Sequence, residues 1–297
     1  MQRTRLTRIN AAACAAGNSL RMDCTRGDAM FELLINVENR RADDPAVQAG
    51  MALASRHHAY VTGLNIVEVY PSTMAMPDVA QVLEEEEEEA KACDAWWTDT
   101  CRRNGVDGAW EVIRGMYAPV LARRSCMADI TVSRLPNGGD MLPSGLDHIS
   151  RALLSSGSPM LLVPPTCKDP SFRMERVLVA WNSTEPSMHA LRAALPLLCD
   201  ATMVDLVDGS SNELPGIAPP LLPVRDWLKR HDVTLTSMRN FPTSSHVGEA
   251  LLEQAYAMHA DLLVMGAWGH SRVNEWMLGG TTRSVLKHAK LPVLVAH

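Results

Sequence analysis

The chain has 297 residues, of which 46% are hydrophobic and 21% are charged, a composition typical of folded globular proteins. This length is comfortable for two domains of ordinary size. The net charge of -6 and the pI near 5.9 argue against nucleic acid as a partner, and no apolar run is long enough to span a bilayer. The seven cysteines form no CxxC pair, which argues against a disulfide framework or a zinc site and favours a cytoplasmic location.

Residues 1–29 carry several arginines and a short Ala-rich patch. A targeting peptide is one interpretation of this pattern, but the apolar patch is short and weakly hydrophobic. We therefore expect a disordered N-terminal tail. A start codon assigned upstream of a true start at Met30 would give the same pattern.

From residue 30 the chain alternates short apolar runs, which predict buried strands, with apolar residues at helical spacing. The predicted strands are 33–37, 60–67, 110–113, 129–132 and 160–163. The predicted helices are 46–57, 77–104 and 118–124. Six consecutive glutamates, Glu84 to Glu89, fall in the second of these helices, where a solvated helix face is the expected role.

Residues 164–175 combine prolines with charge and lack a periodic pattern, which is typical of an interdomain linker. We place the first domain at 30–165, the linker at 166–175 and the second domain at 176–297. The strand and helix pattern restarts after the linker. Its predicted strands are 177–181, 203–207, 233–235, 261–265 and 293–295. Its predicted helices are 185–199, 222–231, 247–259 and one that opens at the glycine pair 279–280.

The two halves align at nearly constant offsets, which indicates an internal repeat. Ala128-Asp129 matches Ala260-Asp261 at an offset of 132, the closing strands align at 133 and the opening strands at 144. The first copy therefore has about a dozen extra residues, which we assign to the acidic helix. The pattern predicts two tandem doubly wound α/β domains, each a mostly parallel five-stranded sheet with flanking helices. Ligands of such sheets bind beyond the carboxyl ends of the strands.

One glycine-rich loop follows a predicted strand of the second half and leads into a helix. Its glycines are Gly266, Gly269, Gly279 and Gly280. Glycines allow a ligand to approach the backbone closely, and the free N–H groups at a helix start favour an anion such as phosphate. Thr281 and Thr282 add hydroxyls in the first helical turn, either for phosphate or as helix caps. The loop is neither a P-loop nor a GxGxxG fingerprint, and glycines that only let helix and sheet pack closely would give the same spacing.

The second half resembles a universal stress protein domain. The signature of that family is Gly, two residues, Gly, nine residues, Gly and then Ser or Thr, and the spacing of Gly266, Gly269 and Gly279 matches it. The segment 291–295 also matches the closing strand of the family. The resemblance implies an adenine nucleotide alpha hydrolase-like fold, binding of ATP or a related adenine nucleotide with Mg²⁺, and a sensory or regulatory role in the stress response. It also implies that domains pair through their last strands, within one chain or between two chains of a homodimer.

The same resemblance suggests which residues contact the nucleotide. They are Asn182, Val207, Gly266, Gly269, His270, Gly279, Gly280, Thr281 and Thr282. Asn182 stands where the family has an Asp that contacts the nucleoside, and Val207 stands where the backbone meets adenine. Gly280 replaces the Ser or Thr of the signature. His270 follows Gly269 inside the loop and is a further candidate for contact with phosphate.

The first half matches this signature poorly. At the offset of 132 its loop positions are Arg134, Asn137 and Asp147, and its nearby glycines have the wrong spacing. The acid that follows its first strand is Glu38, which is longer than the usual Asp. We interpret the first half as a degenerate copy that packs against the second.

No pattern in the sequence predicts catalysis or a metal site. The histidines lack HExxH spacing, GxSxG is absent, and the cysteines have no evident activating partner. Asp205 and Asp208 near the end of the second strand are available carboxylates, but we expect them to be solvated loop residues, so hydrolysis should be slow or absent. A scaffold that binds a partner without nucleotide and a weak ATPase stay open as alternatives.

Overall fold

The computed structural model describes residues 31–72, 78–135, 146–167, 171–210, 220–241, 246–267 and 280–297. The first half contains β1 (Glu32–Asn36), α1 (Pro45–His57), β2 (Tyr60–Glu68), α2 (Val79–Lys91), α3 (Asp94–Asn104), β3 (Gly108–Gly115), α4 (Tyr117–Ser125), β4 (Ile130–Arg134), α5 (Leu146–Ser156) and β5 (Met160–Val163). The second half contains β6 (Arg176–Trp181), α6 (Glu185–Ala193), α7 (Leu195–Asp200), β7 (Met203–Asp208), α8 (Val224–Arg230), β8 (Ser237–Asn240), α9 (Val247–Ala257), β9 (Leu262–Gly266), α10 (Gly280–His288) and β10 (Val293–Ala296).

The ten strands form one sheet in the order β3-β2-β1-β4-β5-β10-β9-β6-β7-β8. Within each half all neighbouring strands are parallel. The halves join through β5 and β10, which run antiparallel and pair Leu161 with Leu294. These two leucines are equivalent at the offset of 133, so the junction has approximate twofold symmetry. The predicted fold class is confirmed, and the two five-stranded sheets are continuous with each other.

The repeat is visible in a hydrogen bond that both halves make. Asp129, just before β4, accepts from the Glu32 backbone N–H at 3.0 Å. Asp261, just before β9, accepts from the Arg176 backbone N–H at 2.7 Å. The pairing of the first and fourth strands has the same register in both halves at the offsets of 144 and 132. The opening strand of each half is therefore tied to its fourth strand in the same way.

The apolar core covers both faces of the sheet and continues across the two halves. One face packs against α1, α3, α6, α7 and α8, and the other against α4, α5, α9 and α10. Phe172 and Met174, from the connection between the halves, are buried in the first of these layers. Described residues of the connection thus contribute to the core as well as joining the two sheets.

The extra residues of the first half lie between its second and third strands. Residues 69–107 separate β2 from β3, whereas only residues 209–236 separate β7 from β8. The extra length forms α2 and α3 where the second half has α8. Five of the six glutamates of α2 are exposed, and the half-buried one, Glu87, contacts Arg114 at 2.6 Å and Lys91 at 2.8 Å. The predicted solvated face of this acidic helix is confirmed.

Two helices that were predicted as continuous are each broken in two. The helix predicted at 185–199 divides at Ala194 because Pro196 has no N–H to donate to the preceding turn. The helix predicted at 77–104 divides after Lys91. There the Ala90 carbonyl accepts from Cys93 N at 3.2 Å and from Trp110 Nε1 at 2.8 Å. It therefore does not accept from the N–H four residues later, as it would in a continuous helix.

The strand predicted at 233–235 is wrong, because the third strand of the second half is β8. The apolar residue Val233 instead belongs to the end of α8. Its N–H donates to the Leu228 carbonyl at 3.1 Å, Asp232 donates to Lys229, and Asp232 has a φ of 57°. This is a Schellman motif, in which an apolar residue past the helix end packs back on the helix. The helix α5 was not predicted.

Candidate functional site

The carboxyl ends of β6, β7 and β9 lie at one edge of the sheet. The strand β6 lies between β7 and β9, so strands that follow it in the chain lie on both sides of it in the sheet. The crevice beside such a strand is where open parallel sheets bind ligands. Because β5 and β10 are antiparallel, the corresponding edge of the first half lies at the opposite end of the strands.

The turn after β6 is fixed by side-chain hydrogen bonds. Thr184 caps α6 and forms a capping box with Ser187, which satisfies N–H groups at the helix start. The Thr184 hydroxyl donates to Asn182 Oδ1 at 2.7 Å. Ser183 has a φ of 60°, and its hydroxyl accepts from Leu222 N at 2.7 Å. The predicted site residue Asn182 is therefore held in place, and its amide Nδ2 makes no hydrogen bond within the described residues.

A cavity of about 250 Å³ opens beside this turn. Its apolar lining residues are Trp181, Leu221, Leu222, Pro223, Val224 and Met238. Its polar lining residues are Asp208, Ser210, Arg225 and Asp226. Leu221 and Leu222 are large apolar side chains that are 48% and 40% exposed. An exposed apolar pair at the rim of a cavity marks a contact surface.

The strand β7 places its candidate residues at different depths. Val207 is 4% exposed and packs in the apolar layer that includes α9, and it is paired with both β6 and β8. Asp208, the last residue of β7, reaches the cavity, and its Oδ1 accepts from Ser210 N at 2.9 Å. Asp205 is buried within β7, which corrects the expectation that it is a solvated loop residue.

Gly266, at the end of β9, is in close contact with the start of α6. A Cβ at this position would lie 2.5 Å from Ser187 N and 2.7 Å from the carbonyl carbon of Pro186. Both atoms belong to the backbone, so neither moves without shifting the helix. The packing of helix against sheet therefore requires a glycine here, whether or not a ligand binds.

The first turn of α10 contains three other predicted site residues. Gly280 is exposed, and no heavy atom lies within 4 Å of where its Cβ would be. Thr281 is half-buried, whereas Thr282 is 3% exposed. Of these three residues, Gly280 and Thr281 are accessible from solvent. Gly269, His270 and Gly279 lie outside the described residues.

In the first half, the equivalent edge holds a network of polar side chains. Asn36 donates through Nδ2 to the Tyr117 hydroxyl at 2.5 Å and to Ser133 Oγ at 2.9 Å. The Tyr117 hydroxyl donates to Glu38 Oε1 at 2.9 Å. Arg134 Nε lies 3.8 Å from Glu38 Oε2. Side chains of the protein thus occupy the part of this edge that follows β1, with Arg134 at the position of Gly266 and Glu38 at the position of Asn182.

Burial controls the protonation of this network. It raises the pKa of Glu38 above the ordinary 4.5, and the opposing effects of Tyr117 and Arg134 are smaller. Burial and the Glu38 charge together raise the pKa of Tyr117 well above 10.0, so this hydroxyl stays protonated. Next to the network, Tyr70 donates to Glu68 at 2.7 Å and His148 Nδ1 lies 3.5 Å from Glu68. Of the other loop positions compared with the signature, Asn137 lies outside the described residues.

The sequence interpretation missed most of the cavity. It did not single out Trp181, Ser210, Arg225 or Met238, which come from four separate segments. One signal was present, because the exposed apolar pair Leu221-Leu222 lies between prolines just before a helix. Within the described residues, no group of three or more His, Cys, Asp or Glu side chains is placed to hold a metal ion. No helix in this part of the chain combines the length and apolar character that crossing a membrane requires.

The comparisons with known proteins all point to the same family. Residues 242–297 match the model of the universal stress protein family. A universal stress protein of Mycobacterium tuberculosis is 31% identical over 106 residues, which are 35% of this chain and 73% of that protein. A universal stress protein of Synechocystis is 27% identical over 149 residues, half of each chain. The match thus spans about half the length of this second relative.

Solved structures extend the likeness to both halves. A universal stress protein from Archaeoglobus fulgidus superposes with a TM-score of 0.65 at 15% identity, over 89% of this chain and 97% of that one. A putative universal stress protein from Pseudomonas aeruginosa superposes with a TM-score of 0.56 at 15% identity, over 90% and 93%. At this level of identity the likeness establishes the fold.

Proposed function

The chain belongs to the universal stress protein family, and from that premise we propose that its second half binds ATP or a related adenine nucleotide with Mg²⁺. The proposed site is the carboxyl edge of β6, β7 and β9. The cavity of about 250 Å³ beside the Asn182 turn carries the proposal. Binding at this edge would give the protein a sensory or regulatory role in the stress response.

The chemistry of the cavity suits a nucleoside. Trp181, Leu222 and Met238 offer apolar surface to a flat base, while the Asp208 carboxylate and the Asn182 amide offer partners to ribose hydroxyls. The volume is below the roughly 300–1,000 Å³ of pockets that enclose whole ligands. In this proposal the cavity therefore takes the base and ribose, and the phosphates extend beyond it.

The start of α10 offers a complementary place for the phosphates. A helix start presents free N–H groups and a positive dipole end to an anion. The exposed Gly280 leaves space for a ligand there, and Thr281 adds a hydroxyl in the same turn. Gly269, His270 and Gly279 complete the expected phosphate loop. Because Mg²⁺ binds mainly through phosphates and water in nucleotide sites, the proposal needs no cluster of protein ligands formed in advance.

Calorimetry with ATP, ADP, AMP and cyclic AMP in the presence of Mg²⁺ tests the proposal. We expect binding by at least one of the four, and loss of that binding in Gly280→Val, because the added side chain fills space next to the helix start. Ala42→Val, in an exposed turn of the first half, is the matched control and should bind as the unmodified chain does. Mass spectrometry of the purified native protein should also detect co-purified adenine nucleotide.

A complete lack of heat for all four nucleotides, together with no co-purified nucleotide, would reject the proposal. The exposed Leu221 and Leu222 would then be better explained as part of a surface that binds a partner protein. Hydrolysis is not part of the proposal, since no residue at this edge is assigned as a catalytic base.

A further inference from the structure

A second cavity lies where the two halves meet, and we call it the junction groove. Its volume is about 560 Å³, within the roughly 300–1,000 Å³ of ligand pockets. The first half lines it with Leu135, Pro164, Pro165 and Thr166. The second half lines it with Glu249, Leu252, Glu253, Tyr256 and the residues from Leu286 to Lys290. Both halves are needed to form it.

The junction groove lies at the ligand-binding edge of the first half. Leu135 directly follows β4, and Pro164 directly follows β5, so these residues mark the carboxyl ends of two parallel strands. The nucleotide cavity proposed above lies at the opposite edge, because β5 and β10 are antiparallel. The two cavities share no lining residue, so occupation of one does not depend on contact with the other.

The apolar lining of the junction groove comes from both halves. Leu135, Leu252 and Leu286 are almost fully buried, and Ala289 is little more exposed. The ring of Tyr256 is 39% exposed, and its hydroxyl accepts from Lys290 N at 3.0 Å. An apolar lining with a few polar groups around it is the usual composition of a small-molecule site.

The charges of the groove are separated along its length. The helices α9 and α10 run side by side in the same direction, because a Cβ on Gly248 would approach Thr281 near their starts, while Tyr256 contacts Lys290 near their ends. The acidic residues lie in the first two turns of α9, and the basic residues lie at the end of α10. Glu249 lies seven residues before Tyr256, which corresponds to about 10 Å along the helix, and Glu253 lies between them. One end of the groove is therefore acidic and the other basic.

These charges are available to a ligand. Within the described part of the chain, Glu253, Lys287 and Lys290 form no ion pair, and the ion pair of Glu249 is with His246 at 3.7 Å, outside the groove lining. Opposite charges on the two helices thus do not neutralise each other across the groove. A ligand with both charges would meet a partner at each end.

We propose that the junction groove binds a dipolar small molecule with an apolar body, a cationic group at one end and an anionic group at the other. The cationic group lies at Glu249 and Glu253, and the anionic group lies at Lys287 and Lys290. The apolar body packs on the leucines of the lining. Because Glu249 lies about 10 Å along α9 from Tyr256, which contacts Lys290, the ligand has a similar separation of charge.

Calorimetry with 8-aminooctanoate tests this proposal, since its charged ends lie about 10 Å apart when the chain is extended. Octanoate and octylamine each lack one charge and serve as ligand controls. We expect 8-aminooctanoate to bind at least tenfold more tightly than either control, and 4-aminobutanoate, which is too short to reach both ends, to bind no better than they do.

Variants of the chain locate the site. Lys287→Gln with Lys290→Gln should reduce the affinity for 8-aminooctanoate to that of octylamine. Glu249→Gln with Glu253→Gln should reduce it to that of octanoate. Lys229→Gln, which removes an exposed lysine of α8, should change nothing. Lys287 lies at the negative end of the α10 dipole, so its substitution also affects helix stability. The unfolding temperature of each variant is therefore measured. Lys290 lies beyond the helix end, so Lys290→Gln alone provides a second variant without this effect.

Two results would overturn the proposal. One is no detectable binding of 8-aminooctanoate by the folded chain. The other is equal binding of 8-aminooctanoate, octanoate and octylamine, since the charged ends would then make no contribution. Nucleotide affinity should be the same in all these variants, so the outcome is independent of the function proposed for the second half.

Discussion

The two halves have the same strands in the same order, but the chemistry at their carboxyl edges differs. After the first strand, Glu38 in the first half corresponds to Asn182 in the second. At the end of the fourth strand, Arg134 corresponds to Gly266. In the first half the larger side chains lie at the edge and contact each other. In the second half the glycine lets α6 approach the sheet, and a cavity lies beside the turn at Asn182.

This comparison shows which parts of a repeat are free to change. Residues inside the strands pack against both helical layers, so a change there affects the whole core. Residues at the strand ends contact only the loops and helix starts next to them. The two copies therefore keep the same sheet, while the space after the first strand is filled by side chains in the first half and has room for a ligand in the second.

The largest expected effect tests whether the halves are one cooperative unit. Leu161→Ala and Leu294→Ala each remove a fully buried side chain at the β5–β10 junction, and each should lower the free energy of unfolding by about 3 kcal/mol. Urea unfolding followed by circular dichroism should show one transition in both variants, because the core is continuous. Val82→Ala, at an exposed position, is the control. A separate early transition in either leucine variant would show that the halves unfold independently.

The next effect compares two glycines of the glycine-rich loop. Gly266→Ala should cost about 2 kcal/mol, because its Cβ would overlap backbone atoms of Pro186 and Ser187. Gly280→Ala should leave stability unchanged or slightly higher, since its Cβ points into open space and alanine favours helix. Thermal unfolding of both variants measures the difference. Equal stability of the two would contradict the assigned role of Gly266.

A pH-dependent effect tests the filled edge of the first half. The pKa of Glu38 is raised in the folded chain, so protonated Glu38 favours folding relative to ionised Glu38. This advantage is fully present below pH 4.5, the ordinary value, and is lost as the pH rises through the higher folded pKa. Glu38→Gln stays neutral, so its stability should increase relative to the unmodified chain over that window.

Urea unfolding from pH 4 to pH 8 measures the free energy of unfolding of the unmodified chain and of Glu38→Gln. Subtracting one free energy from the other removes the effect of groups that titrate in both proteins. A constant difference across the range would show that burial of Glu38 does not shift its pKa.

The smallest expected effect concerns Asn182 and depends on the proposed function. Asn182→Asp supplies the acid that the family usually has at this position, and a charged acceptor should strengthen a ribose hydrogen bond by about 1 kcal/mol, or roughly fivefold in affinity. Calorimetry with ATP measures the change, and Asn104→Asp, in the exposed last residue of α3, is the control. Unchanged or weaker ATP binding would place Asn182 outside the ribose contacts.

Most of the fold could be predicted from local patterns. The strand at 160–163 and the helix at 247–259 follow from apolar spacing within a few residues, and the structure has β5 and α9 there. The errors arose where a single distant contact or a helix-end motif overrides the apolar pattern. Trp110 bonds the Ala90 carbonyl and helps to end α2, and Val233 packs back on α8 instead of forming a strand.

Much less of the candidate site could be predicted. The glycine spacing and the family resemblance pointed to the edge of the sheet where this cavity lies, but the cavity is lined by Trp181, Asp208 and Met238 from three different strands. Spacing along the chain does not report such distances. The two interpretations of Gly266, ligand approach and close packing, were also indistinguishable in the sequence, and the contact with α6 establishes the second.

The sequence by itself determined most of the strands and helices, the tandem repeat and the α/β class, because apolar periodicity and repeat offsets are properties of neighbouring or aligned residues. The tertiary structure alone decided that the two sheets join through Leu161 and Leu294, that Glu38 and Arg134 meet at one edge, and that a groove forms where the halves meet. Each of these depends on distances between residues far apart in the chain, which only the packed fold brings together.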